Sequence, residues 1–232
     1  MPDESTHTLK AFDEDVAQLR ALISRMGEAA EQAIHESMRC LMQRDAEGAR
    51  RVVAGDARLD ALEAEAERRI VQLIALRAPM ADDLREAVAA LKIAAVVERI
   101  GDYAKNIAKR VEVFDAPGEI EPLSLLPAMA RAAAEMVHSV LEAFVNRDAA
   151  GAREVCERDR AVDDFYDSIF RALLTHMMEN PQNITRCAHL LFVARNLERI
   201  GDHATNIAEM VYFAATGERL AERQKGGAAV TR

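Results

Sequence analysis

The sequence predicts an all-α protein built as two tandem antiparallel three-helix bundles related by internal duplication, with six long helices. Half of the 232 residues are apolar but only 4% are aromatic and Trp is absent, a composition that favours packed helices over a sheet. The prolines leave four long proline-free segments, 3–78, 80–116, 128–180 and 182–232, and none of them shows strand-like alternation. The segment ERIGDYAKNIA, which begins at Glu98, returns after one hundred residues as ERIGDHATNIA, which begins at Glu198.

The first half divides into three predicted helices. The first covers 8–43, because apolar residues recur every three or four positions as on the seam of a bundle: Phe12, Val16, Leu19, Ile23, Met26, Ala30 and Ala33. Asp45 is suited to cap the second helix, predicted over 45–78. Pro79 breaks the chain before the third helix, predicted over 81–115.

The second half repeats this pattern after a linker at 116–122 that contains two prolines and a glycine. The segment RDAEGAR at 44–50 matches RDAAGAR at 147–153, so Asp148 caps the fifth helix as Asp45 caps the second. The predicted helices are 123–146, 148–179 and 182–216, with Pro181 at the last break. The predicted domains are therefore 8–116 and 123–216, followed by a disordered tail at 217–232.

Composition excludes several classes of function. The net charge of −9 disfavours binding to nucleic acid or to anionic lipid, both of which require a basic surface. No apolar run approaches the ~18 residues of a membrane span, so direct membrane insertion is not expected. The three cysteines show no CxxC spacing, which is typical of a reducing cytoplasm and not of a disulfide framework.

Each half places two pairs of carboxylates at one height of a helical hairpin. Residues equally far from the turn of an antiparallel pair lie level, and the turns at Pro79 and Pro181 align the acids of the repeated segment with acids on the preceding helix. Spacing by four residues puts each pair on one helix face, about 28 Å from its turn. The first cluster is Asp56, Asp60, Glu98 and Asp102, and the second is Asp159, Asp163, Glu198 and Asp202.

Four level carboxylates repel one another, and a hard cation bound by their oxygens would compensate for that repulsion. Gly101 and Gly201 add to this hypothesis, because a glycine inside a helix costs about 1 kcal/mol and permits close approach of a backbone or an ion. Asn106 and Asn206 continue the same faces and offer amide oxygens. The alternative is a solvated face whose acids are neutralised locally by Arg99, Lys105 and Arg199.

The two ERIGD segments, the preceding ARNL at 194–197, the DLR at 83–85 and the tandem halves resemble the PhoU family of bacterial phosphate-signalling regulators. The resemblance covers the chain from about Phe12 to Gly217. It implies a cytoplasmic, non-enzymatic and often homodimeric protein that acts as a negative regulator of the phosphate-starvation response and limits phosphate uptake.

The implied partners are the ATPase subunit of the high-affinity phosphate ABC transporter and the sensor histidine kinase of the phosphate two-component system. Some members of the family bind multinuclear iron or zinc through the segments that correspond to Glu98, Asp102, Glu198 and Asp202, with Asp56, Asp60, Asp159 and Asp163 as matching partners. Oxygen ligands alone also permit magnesium or manganese.

Two alternatives remain. One is a structural helical adaptor whose acids only keep it in solution. The other is a di-iron carboxylate protein, which needs two ExxH motifs; Glu135 and His138 form one, but Gln32 and His35 stand at the matching positions. The histidines at 35 and 138 are level with the acidic clusters, although such residues more often lie at helix interfaces. Cys156 is more typical of a core residue than of a ligand beside hard oxygens.

Overall fold

The computed structural model describes the backbone of residues 4–114 and 124–220, and the side chains from Phe12 onward within these ranges. Over these ranges the chain forms six long helices and no strand, which confirms the predicted fold class. The predicted linker at 116–122 and residues 221–232 of the predicted tail lie outside the described residues. The helices are α1 (Glu4–Gln43), α2 (Ala46–Arg77), α3 (Asp82–Ala108), α4 (Leu126–Asn146), α5 (Ala149–Glu179) and α6 (Ile184–Thr216).

Aspartate caps begin the long helices α2 and α5, as predicted. The Asp45 carboxylate accepts a hydrogen bond of 2.7 Å from the backbone N–H of Gly48, and the Asp148 carboxylate accepts one of 3.0 Å from that of Ala150. Each bond satisfies a backbone donor that has no partner within the first turn of its helix. The caps therefore set where the second helix of each half begins.

Four predicted boundaries were wrong by two to seven residues. The first helix begins at Glu4 and not at 8, because residues 4–7 continue the same proline-free helix. The third helix ends at Ala108 and not at 115, because the chain tightens into a 3₁₀ turn at Val111–Phe114 that buries both apolar side chains. Helix α4 begins at Leu126 and not at 123, with a proline in its first turn, where no N–H is needed. Helix α6 begins at Ile184 and not at 182, because a short 3₁₀ turn at Pro181–Asn183 precedes it.

The two halves pack against each other along two pairs of helices. Within each half all three helices are in mutual contact, and α1 packs against α4 while α3 packs against α6. Ile100 and Ile107 on α3 and Ile200 and Ile207 on α6 are fully buried. The duplicated segments therefore lie at the centre of the molecule, next to the seam between α3 and α6. Among the described helices, none is long and apolar enough to cross a membrane.

Candidate functional site

The first acidic cluster forms where α2 packs against α3. The ammonium group of Lys105 donates hydrogen bonds to the carboxylates of both Asp56 and Asp102, so the two helices are joined through one lysine. The Asp56 side chain is 10% exposed and that of Lys105 is 21% exposed, so the contact between them is largely shielded from water, whereas the Asp102 side chain is 41% exposed. This arrangement places Asp56 and Asp102 level, as the turn at Pro79 predicts.

The pKa of Glu98 responds to the other acids of the first cluster. Burial raises the pKa of its carboxyl group, and the negative charges of Asp102, Asp60 and Asp56 raise it further. Burial acts to lower the pKa of Lys105, but the hydrogen bonds that it donates to Asp102 and Asp56 outweigh this effect, and the pKa lies well above its usual range. The lysine is therefore a firmly held cation within the cluster.

The glycines of the repeated segments let side chains of the preceding helix approach closely. A Cβ on Gly101 would collide with the end of Leu59 and would lie 3.9 Å from the Asp56 carboxylate. A Cβ on Gly201 would lie 3.3 Å from Oδ1 of Asp159. The missing side chain therefore leaves room for Leu59 in the first half, where the contact with Asp56 would be an ordinary one, and for Asp159 in the second half.

The second acidic cluster has a different charge environment. Asp159 is 3% exposed and the Glu198 side chain is 13% exposed, whereas Asp163 is exposed. Glu198 accepts a hydrogen bond of 2.6 Å from Arg195. Position 205, which corresponds to Lys105, is a threonine, and its buried hydroxyl has no hydrogen-bond partner among the described residues.

The donors of the two clusters fit a metal ion unequally. Within the described ranges, no three His, Cys, Asp or Glu side chains are already arranged to hold a metal ion. In the first cluster an ion would have to displace Lys105, which occupies the position of a cation. In the second half the corresponding position is Thr205, which carries a hydroxyl in place of the ammonium group, and this hydroxyl is buried without a hydrogen-bond partner among the described residues.

The two clusters adjoin a shared aromatic contact at the seam between α3 and α6. The rings of Tyr103 and His203, which occupy the same position of the repeat, stack with their centroids 5.3 Å apart. The Tyr103 hydroxyl lies 3.3 Å from Nε2 of His203, and the Arg199 guanidinium lies 5.7 Å from the Tyr103 ring centroid. Burial lowers the pKa of His203, and the charge of Arg99 lowers it further.

Several other sequence candidates lie away from the acids. His35 is exposed, and His138 is exposed with its Nδ1 3.3 Å from a carboxylate oxygen of Glu31. Glu135 is also exposed, so the one ExxH motif does not point into the bundle as di-iron chemistry would require. Cys156 is 7% exposed and belongs to the apolar core. On the repeat faces, the Asn206 side chain lies 3.3 Å from Nδ1 of His203.

Sequence reasoning missed the polar link between the two halves. Glu86 on α3 is 6% exposed and accepts hydrogen bonds from Arg20 on α1 and from Arg147 at the end of α4. The available signal was the position of Glu86 directly before the apolar run AVAAL at 87–91, because an acid on a face that becomes buried needs a partner. The partners themselves are distant in sequence and could not be named.

Comparison with known proteins finds the same duplication. A family model described as the PhoU domain matches residues 23–111 and again residues 126–211. A protein of Zymomonas mobilis named "Phosphate-specific transport system accessory protein PhoU homolog" is 52% identical over 96% of this chain and 94% of its own length. A protein of Caulobacter vibrioides with the same name is 48% identical over 94% of this chain and 95% of its own length.

Solved structures agree with the fold. The crystal structure of PhoU from Pseudomonas aeruginosa superimposes with a TM-score of 0.85 at 32% identity, covering 89% of this chain and all of that one. The phosphate transport system regulatory protein PhoU from Streptococcus pneumoniae superimposes with a TM-score of 0.82 at 24% identity, covering 90% of this chain and 99% of that one. The second likeness bears on the fold alone.

Proposed function

The chain belongs to the PhoU family, and we propose that it is a non-enzymatic accessory protein of a phosphate-specific transport system in the cytoplasm. The likeness that carries this proposal extends over nearly the whole chain, at 52% identity to a protein named for that role. The architecture supports it, because the family domain is matched twice, over 23–111 and 126–211, and the two halves are packed together along α3 and α6.

The proposed activity is negative regulation of the phosphate-starvation response. The protein acts as a homodimer. It links the ATPase subunit of the phosphate transporter to the sensor histidine kinase and restrains phosphate uptake when phosphate is plentiful. Its binding must differ between two states of the transporter, since a partner with equal affinity for both states cannot report on them. The continuous core shared by the two bundles suits a rigid body that reads such a difference.

A metal ion is proposed chiefly for the second acidic cluster. Asp159, Glu198 and Asp202, with the Thr205 hydroxyl, would hold an iron, zinc, manganese or magnesium ion, which would neutralise their charge and join α5 to α6. In the first cluster the same role is filled by Lys105 unless an ion displaces it. The competing reading is a structural adaptor whose acids serve solubility or docking alone.

Recovery of the protein on the purified ATPase subunit tests the adaptor role. The subunit would be held without nucleotide, with ATP analogue or with ADP, and binding would be measured at a fixed salt concentration. We expect recovery to differ between these states by at least about tenfold, which corresponds to 1.4 kcal/mol of differential affinity. Equal recovery in every state would contradict the proposed mechanism.

Elemental analysis of untagged protein purified without chelator tests the metal proposal. The wild type is compared with Glu98→Ala/Asp102→Ala and with Glu198→Ala/Asp202→Ala. We expect metal in the wild type, retained in the first variant and lost in the second. Absence of metal from every sample, even after incubation with iron or zinc, would leave the acids a docking or solubility role.

A further inference from the structure

A cavity of about 310 Å³ opens between α1, α2 and α3 of the first bundle. Its interior includes apolar surface from Ala33, Val52 and Leu59, and Gly55 and Arg58 lie among its lining residues on α2. The volume falls at the lower end of the range for cavities that hold small organic ligands, which combine apolar walls with a few polar groups. The cavity borders the first acidic cluster through Asp56 and Lys105 but extends beyond it.

The internal duplication supplies a comparison for this cavity, because the second half contains the same three helices. Gly55 corresponds to Arg158, whose guanidinium donates a hydrogen bond of 3.1 Å to the Ser139 hydroxyl on the neighbouring helix α4. Ser139 in turn corresponds to Glu36 at the rim of the cavity. In the second half a long side chain thus bridges the two helices across the place where the first half is open.

Helix packing does not account for Gly55. A Cβ built on this residue meets no atom within 4 Å, so the packing leaves room for a residue other than glycine. An exposed glycine in the interior of a helix costs about 1 kcal/mol relative to alanine. The position therefore carries a cost that the fold does not require, and its effect is to keep the mouth of the cavity open.

The charge at the rim indicates what the cavity accepts. Among the described residues Arg58 makes no hydrogen bond and no ion pair, whereas Glu36 is bonded to Arg39 and Arg51 to Glu47. Lys105 is held by two carboxylates of the first cluster. Arg58 therefore offers the rim a guanidinium group that no carboxylate of the described residues holds, although the chain as a whole carries −9.

We propose that this cavity binds a small amphipathic molecule whose apolar body lies between the three helices and whose anionic head group pairs with Arg58. The cavity borders the first acidic cluster, but binding of this molecule requires neither the proposed metal ion nor the proposed docking to the transporter.

Titration with 1-anilinonaphthalene-8-sulfonate, an aromatic molecule with one sulfonate group, tests the proposal by its fluorescence. We expect one molecule bound per wild-type chain. Gly55→Arg should weaken binding at least about tenfold, because the new side chain can cross the mouth to Glu36 as Arg158 crosses to Ser139. Gly55→Ala is the matched control: it makes the same gain in helix propensity, leaves the mouth open and should bind like the wild type.

Arg58→Gln should weaken binding about threefold to fivefold, as expected for a solvent-accessible ion pair, while Arg160→Gln on α5 should not change it.

Ala33→Met is a second variant that fills the cavity, and circular dichroism checks that each variant is folded. Amide NMR signals of Gly55 and Gly101 should shift on addition of the probe, while that of Gly201 should not. Undetectable binding of the probe to the wild type would overturn the proposal. Binding to Gly55→Arg and to Ala33→Met that is as tight as binding to the wild type would also overturn it.

Discussion

Replacing Lys105 with threonine gives the first acidic cluster the residue that stands at the corresponding position of the second half. The change removes the ammonium group that donates to Asp56 and Asp102 and leaves the carboxylates of that cluster without their internal cation. Without added metal we expect the variant to be less stable than the wild type, because Asp56, whose side chain is only 10% exposed, then loses its cation and is repelled by the neighbouring acids.

The size of the effect follows from the contacts that are lost. The hydrogen bond to Asp56 contributes about 1.5–3 kcal/mol net and the bond to Asp102, whose side chain is 41% exposed, up to about 1 kcal/mol, while freeing the partly exposed lysine side chain returns about 1 kcal/mol of conformational entropy. The net loss is therefore on the order of 1–3 kcal/mol. For a chain of 232 residues this lowers the melting temperature by roughly 3–9 °C.

The melting temperatures of the wild type and of Lys105→Thr are measured by thermal unfolding, once in chelator and once with added manganese or zinc. A divalent ion at one hundred times its dissociation constant contributes about 2.7 kcal/mol, so it should restore the stability of Lys105→Thr. The reciprocal variant Thr205→Lys should remove the response of the second cluster to the ion. Unchanged stability of Lys105→Thr in chelator would refute the reasoning that the lysine acts as the cation of its cluster.

Three further predictions concern stability. Glu98→Gln should stabilise the metal-free protein at neutral pH by a few tenths of a kcal/mol, because the raised pKa of Glu98 means that folding is weakened as pH rises through that pKa and the carboxylate becomes charged. Glu86→Gln should destabilise by about 1–3 kcal/mol through loss of its charged hydrogen bonds. His203→Phe should flatten the fall in stability below pH 6.5, because the depressed pKa of His203 makes the unfolded state bind more protons as pH falls from 6.5 towards the folded-state pKa.

Urea denaturation in chelator across pH 4–8 measures all three variants beside the wild type. Arg160→Gln, an exposed substitution on α5, is the control and should change stability little. A less stable Glu98→Gln at neutral pH would show that the acids of the first cluster do not repel one another. Unchanged stability of Glu86→Gln would remove the proposed polar link between the halves, and an unchanged pH profile for His203→Phe would mean that this histidine is not held neutral.

The turns and the duplication could be predicted from sequence because their signals are local. Asp45 and Asp148 cap helices through bonds to residues two or three positions away, and Pro79 and Pro181 interrupt helices directly. The level placement of Asp56 and Asp102 followed from the turn alone, since an antiparallel hairpin fixes height. The end of α3 was predicted too late because tertiary burial of Phe114 decides it.

The details of the candidate site depend on contacts between helices and could not be predicted in full. Lys105 was named as a neutralising residue, but its bond to Asp56 depends on the rotation of α2 against α3. The meeting of Tyr103 with His203 depends on how the two halves pack, which the repeat alone does not determine. The open cavity became interpretable only when Gly55 was compared with Arg158 in the folded repeat.

A reporter of the phosphate-starvation response, measured in phosphate-rich medium, tests the central claim most directly. The comparison is between the parent strain, a strain lacking this protein, and the latter strain complemented with the wild-type chain. We expect the reporter to be active in the deletion strain and repressed again on complementation. A reporter that stays repressed without the protein would contradict its assignment as a negative regulator of the phosphate response.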